Sequence, residues 1–250
     1  MMLTFTSTIH DPENRLGYLI EEVGESLRNL FDSATVAYTP RTHPDIIKLL
    51  VKNRYRVNKA GDSVISTYQS ALKQTLDHGP NSIFYSDLDR ALHWMKSYPA
   101  EFKQIAQSPP NHDFVLIGRT KRAFDTHPET QTLTEGIGNV VASKVLRFKK
   151  TGDILGTTWI LTPQQVKMIL EHKPMSEFGF YTEWPMKLWR SARNPLYIER
   201  EGLEWETPDR YQDEIKNQGL ETWKQSFQTV NEWKRRTNML KDFIETMAVE

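Results

Sequence analysis

The chain contains no cysteine. That excludes disulfides, thiolate zinc sites, cysteine-ligated iron–sulfur clusters and a cysteine nucleophile together. It also lacks a surplus of either charge, since 32 Lys and Arg balance 32 Asp and Glu. With no basic excess, nothing in the overall charge argues for nucleic acid or an anionic membrane as a partner. Nowhere do about eighteen apolar residues run together, the least a membrane-spanning helix requires. The first ten residues, Met1 to His10, lack the basic start and apolar core of a secretory signal. The expectation is a soluble, cytoplasmic protein. Walker-type phosphate loops, Gly-x-Ser-x-Gly elbows and His-Glu-x-x-His helices are all missing. Gly136-Ile137-Gly138 falls inside a predicted helix and fails the dinucleotide fingerprint in context and spacing.

What is present suffices for a folded chain. Of 250 residues, 38% are hydrophobic and 11% aromatic, enough large side chains to fill a sizeable core. Apolar runs at Leu3–Ile9, Ala34–Tyr38 and Tyr55–Val57 read as strands, with helical patterns over Leu16–Phe31 and Ile46–Val51 between them. Asp11-Pro12 reads as an N-cap followed by a first-turn proline. A helix after Gly61-Asp62-Ser63 turns Ile65, Tyr68, Leu72 and Leu76 inward. Further strands are expected at Ser82–Ser86, Phe114–Ile117 and Ile154–Leu161, and a helical stretch at Leu88–Ile105 is interrupted near Pro99. Thr132-Leu133-Thr134-Glu135 and Thr162-Pro163-Gln164-Gln165 both match the capping box.

Leu220, Trp223, Phe227, Val230, Trp233, Leu240, Phe243, Ile244 and Met247 outline an amphipathic C-terminal helix, broken near Thr237. Its apolar stripe would pack on its own domain or on a second copy in a homo-oligomer. The division expected is a core domain over 1–205 and a helical extension over 206–250. Alternating strands and helices predict an α/β fold: a mainly parallel sheet covered on both faces, three layers αβα, with ligands bound beyond the carboxyl ends of the strands.

The strongest chemical signal lies at such an end. Ser82-Ile83-Phe84-Tyr85-Ser86-Asp87-Leu88-Asp89 delivers two aspartates, one residue apart, from a buried strand. Hard divalent cations take oxygen ligands and bridge to phosphates, so the pair could hold Mg²⁺ or Mn²⁺ with a diphosphate. Alternatively, Asp87 caps the following helix and Asp89 favours its positive end. His10, His93, His127 and His172 show no ligand spacing and read as structural. Arg119, Lys121 and Arg122 follow a strand end, where they would neutralise phosphate or form a solvated loop. Trp159, Trp184 and Trp189 are core residues or sugar-stacking rings.

The order of these segments resembles nucleotide-diphospho-sugar transferases of the GT-A fold, of the family 2 type. The resemblance spans roughly residues 3 to 200 and rests on Thr6-Ser7-Thr8, Lys59-Ala60-Gly61-Asp62, Ser86-Asp87-Leu88-Asp89, Asp153-Ile154-Leu155-Gly156-Thr157-Thr158 and Phe178-Gly179-Phe180-Tyr181-Thr182-Glu183-Trp184. It implies a GT-A-like fold and a glycosyltransferase that moves a sugar from a nucleotide-diphospho-sugar donor to an acceptor the sequence does not name, assisted by Mn²⁺ or Mg²⁺. By the same resemblance, Thr6, Thr8, Asp62 and Asp87 would line the nucleotide pocket, and Asp87 and Asp89 would hold the metal. Gly156, Thr157 and Trp184 would face sugar or acceptor. Glu183, or else Asp153, would take the acceptor's proton. The chain has Ser7-Thr8-Ile9-His10-Asp11 where that family usually has Pro-x-Tyr/Phe-Asn-Glu, and it lacks the Gln-x-x-Arg-Trp of processive synthases. A haloacid-dehalogenase-like phosphohydrolase also uses Asp-x-Asp after a strand, but on its first strand, followed by Thr or Val where this chain has Ala91. A catalytically silent nucleotide-sugar-binding protein on the same scaffold is the third reading.

Overall fold

Seven strands form one twisted sheet in the computed structural model, which describes residues 3–249. They are β1 (Thr4–Ile9), β2 (Ser33–Tyr38), β3 (Arg56–Lys59), β4 (Ile83–Tyr85), β5 (Phe114–Arg119), β6 (Trp159–Leu161) and β7 (Pro195–Arg200), in the order β3-β2-β1-β4-β6-β5-β7. All pairs are parallel except those of β6, which runs antiparallel to β4 and β5. Side chains alternate strictly across the central strands, as the two-residue repeat of a pleated strand requires. Phe5, Phe84, Val115, Ile117 and Ile160 face one layer. Ile83, Tyr85, Phe114, Leu116, Trp159 and Leu161 face the other.

The first layer is built by the segment Leu16–Phe31 and the helices Pro44–Lys52, Leu88–Ser97 and Pro99–Gln107. The second contains the helices Val64–Leu76, Glu129–Val145, Pro163–Glu171, Phe180–Ser191 and Val230–Val249. The fold is therefore the expected three-layer α/β arrangement around a mainly parallel sheet. Met239, Phe243 and Met247 of the last helix are buried in the second layer, where the helix packs against Glu129–Val145 and Phe180–Ser191 of its own chain. Among the described residues, no helix is long and apolar enough to cross a membrane.

Several boundaries differ from the sequence reading, each for a local reason. Asp11 does not start a helix at Pro12; its two carboxylate oxygens accept the backbone N–H groups of Arg15 (3.0 Å) and Leu16 (2.8 Å), and the helical segment opens at Gly17. Thr132 is not a cap, because the helix already begins at Glu129 behind Pro128. Thr162 and Gln165 do form the reciprocal capping box. The strand expected over Ile154–Leu161 shrinks to Trp159–Leu161: Ile154 and Leu155 form a turn whose N–H groups bond Asn139, and Arg90 holds the Gly156 carbonyl and the Thr157 hydroxyl. Thr237 lies inside a continuous helix, its hydroxyl bonded back to the Trp233 carbonyl (2.9 Å); the break comes earlier, around Thr229. Strand β7, with a proline at its start, an exposed Glu199 and otherwise half-buried residues, carries no strand pattern that the sequence reading picks up.

Candidate functional site

Strand register brings the site together. Thr6 pairs with Tyr85 in the parallel β1–β4 ladder, and Tyr85 pairs with Trp159 in the antiparallel β4–β6 ladder. Continuing both ladders by two residues sets Asp87 between Thr8 and Thr157. Thr8 Oγ1 donates to Asp87 Oδ1 (3.2 Å), and Thr157 Oγ1 donates to Asp87 Oδ2 (3.4 Å). Tyr68, from the helix Val64–Leu76, and Tyr85 add phenol donors to the same Oδ1 at 2.8 and 3.1 Å. Asp87 occupies the N-cap position of the helix Leu88–Ser97, yet its side chain serves these hydroxyls rather than the helix. Asp87 therefore does not cap the helix with its side chain, whereas Asp89 does serve the helix start, its Oδ1 accepting the Arg90 N–H (2.8 Å).

Two arginines complete it. Arg90, on the helix face above Asp87, donates through Nη1 to the Gly156 carbonyl (2.6 Å) and Thr157 Oγ1 (2.7 Å). It lies 3.9 Å from Asp87 and 3.8 Å from Glu206. Arg210 follows β7 in the chain and donates to Asp89 Oδ2 (2.9 Å) and the His10 carbonyl (3.0 Å). Burial is the largest influence on Asp87 and pushes its pKa up; Arg90 opposes this and Asp89 adds to it. Burial would likewise raise Asp89, but its pairing with Arg210 prevails and holds the group below the usual carboxylate range. The phenols of Tyr68 and Tyr85 are pushed well up by burial and then by Asp87, so both remain donors.

Two cavities meet at this centre and share Val64. One, of about 260 Å³, is lined by Thr8, His10, Thr39, Arg41, Asp62 and Tyr68 among others. The other, of about 300 Å³, runs from Asp87, Arg90 and Thr157 past Tyr181 and Glu135 to Arg235 and Arg236. Thr157 holds φ at +44°, unusual for a β-branched residue, and such strain persists where surrounding contacts enforce it. A larger hollow of about 1060 Å³, lined by Asp113, Thr162 and Arg193 among others, lies at the opposite edge of the sheet, away from the carboxyl ends of the parallel strands.

Of the sequence-derived candidates, Thr8, Asp62, Asp87, Asp89, Gly156 and Thr157 gather here, Gly156 through its carbonyl. Four do not. Thr6 is buried and hydrogen-bonds Thr75 (2.6 Å), pinning β1 to the helix behind it. Trp184 is 0% exposed and packs on Tyr68 and Phe180, so no sugar ring can stack on it. Glu183 is buried, paired with His172 and bonded to the Met175 N–H (3.2 Å). Asp153 accepts four hydrogen bonds, three from Arg119 (N 2.9, Nε 2.6, Nη2 2.8 Å) and one from Asn139 (2.8 Å), which fills the lone pairs a proton acceptor would need. Arg119 is thus committed to the interior, while Arg122 pairs with Glu201 and Glu204 at the surface. Of the histidines, His93 sits between Asp209 and Glu204, and His127 is buried with its pKa well down, burial being the main cause.

The donor set does not fit Mn²⁺ or Mg²⁺. Asp87 Oδ1 already takes three hydroxyls, Asp89 Oδ1 takes the Arg90 N–H (2.8 Å), and Asp89 Oδ2 takes Arg210. Among the described residues, no group of three or more His, Cys, Asp or Glu could hold a metal ion. Two guanidinium groups stand beside the pair instead, Arg90 3.9 Å from Asp87 and Arg210 2.9 Å from Asp89. Sequence reasoning missed Arg90 although it adjoins the motif, and Arg210 because 121 residues separate it from Asp89.

No family model matches the chain, and no curated protein matches it in sequence. Several solved structures superpose on it in part. One is glucosyl-3-phosphoglycerate synthase from Mycobacterium tuberculosis in complex with Mn²⁺, uridine diphosphate and glucosyl-3-phosphoglycerate. It is 8% identical with a TM-score of 0.43, over 79% of this chain and 69% of that one. The same enzyme with Mn²⁺, UDP-glucose and phosphoglyceric acid gives 9% identity and 0.43 over the same shares. A mycobacterial protein gives 14% identity and a TM-score of 0.46, over 80% of this chain and 66% of that one.

Proposed function

We propose that the protein is a glycosyltransferase of the GT-A type that uses a nucleotide-diphospho-sugar donor. The observation that carries this reading is a pair of cavities sharing Val64 on the carboxyl edge of the sheet, one lined by Asp87 and the other by its hydroxyl partners Thr8 and Tyr68. A donor has three chemically distinct parts, and the groove offers a place for each. The nucleoside fits the chamber lined by Thr8, Thr39, Asp62 and Tyr68, where hydroxyl and carboxylate groups meet its sugar and base edges. The diphosphate lies across the junction, beside Arg90 and within reach of Arg210 and Arg41. The transferred sugar and the acceptor share the chamber of Thr157, Tyr181, Glu135 and Arg236.

In the transfer, the bond between the sugar's anomeric carbon and the β-phosphate oxygen breaks and leaves its electron pair on the diphosphate. The acceptor oxygen forms the new bond to that carbon and gives up its proton to the departing diphosphate, whose oxygen has just gained an electron pair. Charge develops on the departing diphosphate, where preorganised guanidinium groups in a partly dry site stabilise it most effectively. Arg90, 9% exposed and held at Gly156 and Thr157, meets that requirement. A phosphohydrolase of the haloacid-dehalogenase type carries its Asp-x-Asp on the first strand, whereas Asp87 here follows the fourth, β4, which does not favour that alternative.

A thermal-shift panel of UDP-, GDP-, CDP- and ADP-sugars tests the proposal. A ligand at 100 times its dissociation constant stabilises by about 2.7 kcal/mol. One nucleotide should raise the melting temperature, and Asp87→Ala should abolish the shift. No shift with any donor contradicts the proposal.

A further inference from the structure

Resting on the transferase reading, we infer that Arg210 and Arg90, rather than a divalent metal, neutralise the donor's diphosphate, with Asp89 acting as the residue that positions Arg210. The inference begins from the misfit of the Asp-x-Asp pair to a metal. Asp87, Asp89 and Glu206 put three carboxylates at this edge, and Arg90 and Arg210 return two positive charges to it. A divalent cation would have to displace a guanidinium that Asp89 holds at 2.9 Å and the His10 carbonyl at 3.0 Å. A diphosphate needs no such displacement. It brings oxygen acceptors to donors already in place, and guanidinium groups bind phosphate oxygens through paired N–H donors.

Two details favour that use. Among the described residues, Arg90 Nε is a buried donor with no hydrogen-bond partner, in a residue that lines the cavity beside Asp87. Buried charged donors are seldom left so, and a ligand oxygen would satisfy it. Arg210 is held from two sides, by β1's carboxyl end through His10 and by the helix Leu88–Ser97 through Asp89, while its side chain stays 18% exposed. Asp11 lies 3.9 Å from the same guanidinium. Arg210 itself lines a neighbouring hollow with Arg15, Tyr18 and Asp209, and its guanidinium joins the aspartate pair through Asp89 and the nucleoside chamber through the carbonyl of His10, which lines it.

Isothermal titration with UDP, GDP, CDP and ADP, and with the matching monophosphates, tests this in EDTA and again with Mn²⁺ or Mg²⁺. The diphosphate is expected to bind in EDTA with an affinity that added metal leaves unchanged. Arg210→Ala should weaken it by about tenfold to a hundredfold, the range for a lost hydrogen bond to a charged group. The monophosphate should weaken much less, a split that a merely structural residue would not produce. Arg210→Lys should restore part of the diphosphate preference, and unfolding curves of both variants guard against misfolding. Binding only in the presence of metal, or an unchanged diphosphate preference in Arg210→Ala, overturns the inference while leaving the transferase reading intact. No binding of any nucleoside diphosphate under either condition overturns both.

Discussion

Removing the Asp153 carboxylate separates a structural from a catalytic role for this residue. Asp153→Ala deletes four hydrogen bonds at once, three of them to Arg119, which is 3% exposed. Breaking a buried ion pair by removing one partner costs about 3–5 kcal/mol, because the other charge is left without compensation. Glu135, 2.6 Å from Arg119, remains as a partner and places the cost near about 3 kcal/mol, the low end of that range. In a chain of this size each kcal/mol moves the melting temperature by about 2–4 °C, so a fall of about 6–12 °C is expected. Urea unfolding followed by circular dichroism, alongside a thermal scan, measures it. The double change Arg119→Met with Asp153→Leu should recover much of the loss, since apolar replacement of a buried pair is often neutral. Burial alone would raise the Asp153 carboxyl, but Arg119 overrides it and holds the group low. Its stabilisation is therefore present above the unfolded value of about 3.9 and lost as pH falls from there through the lower folded value. Acid unfolding should be steeper in the parent than in Asp153→Asn. An Asp153→Ala variant that keeps its stability but loses transfer activity would contradict this structural role and return Asp153 to the role of base.

Other parts of the fold respond in ways that are equally open to measurement. A Cβ on Gly202 would fall 1.8 Å from Trp94 Cδ1, a fully buried ring whose Nε1 donates to Glu101 (2.7 Å), so Gly202→Ala should cost about 1–3 kcal/mol in urea unfolding. Neutrality there would mean that the strap over Trp94 yields. Burial would lower the His93 pKa, but its hydrogen bond to Asp209 (2.7 Å) prevails and raises it above 6.5. This pair's contribution is full below 6.5 and disappears as pH rises through the higher folded value; a proton NMR titration midpoint at or below 6.5 would count against it. Thr157→Gly should relieve about 1 kcal/mol of backbone strain while forfeiting about 1 kcal/mol of hydrogen bonding to Arg90, leaving stability little changed but weakening donor binding. Unchanged donor binding in that variant would remove Thr157 from the site.

The sequence displayed those parts of the fold whose cause is local. β4 and β5 are largely apolar runs because both of their faces are covered, and Thr162 with Gln165 forms its capping box from residues three apart. The Asp87–Asp89 pair was legible for the same reason, lying at the end of such a run. What escaped depends on distant partners. Arg210 reaches Asp89 only because β7 lays the following segment beside the helix Leu88–Ser97. Glu183 and Trp184 sit in a motif-like stretch, yet the helix Phe180–Ser191 turns both inward, toward His172 and Tyr68. Thr132 and Glu135 have capping-box spacing, but Pro128 starts the helix one turn earlier and frees Glu135 to meet Arg119 and Arg236. A pattern of residue types reveals a local hydrogen bond; it does not reveal which face a completed helix will present.

The most direct test of the central claim is a crystal structure with the nucleoside diphosphate that binds in the titration panel. The nucleoside should lie between Thr39, Asp62 and Tyr68 and the diphosphate oxygens against Arg90 and Arg210, beside Asp87. Density for the nucleotide at the opposite edge of the sheet, near Asp113 and Arg193, or a diphosphate out of reach of both arginines, would contradict it.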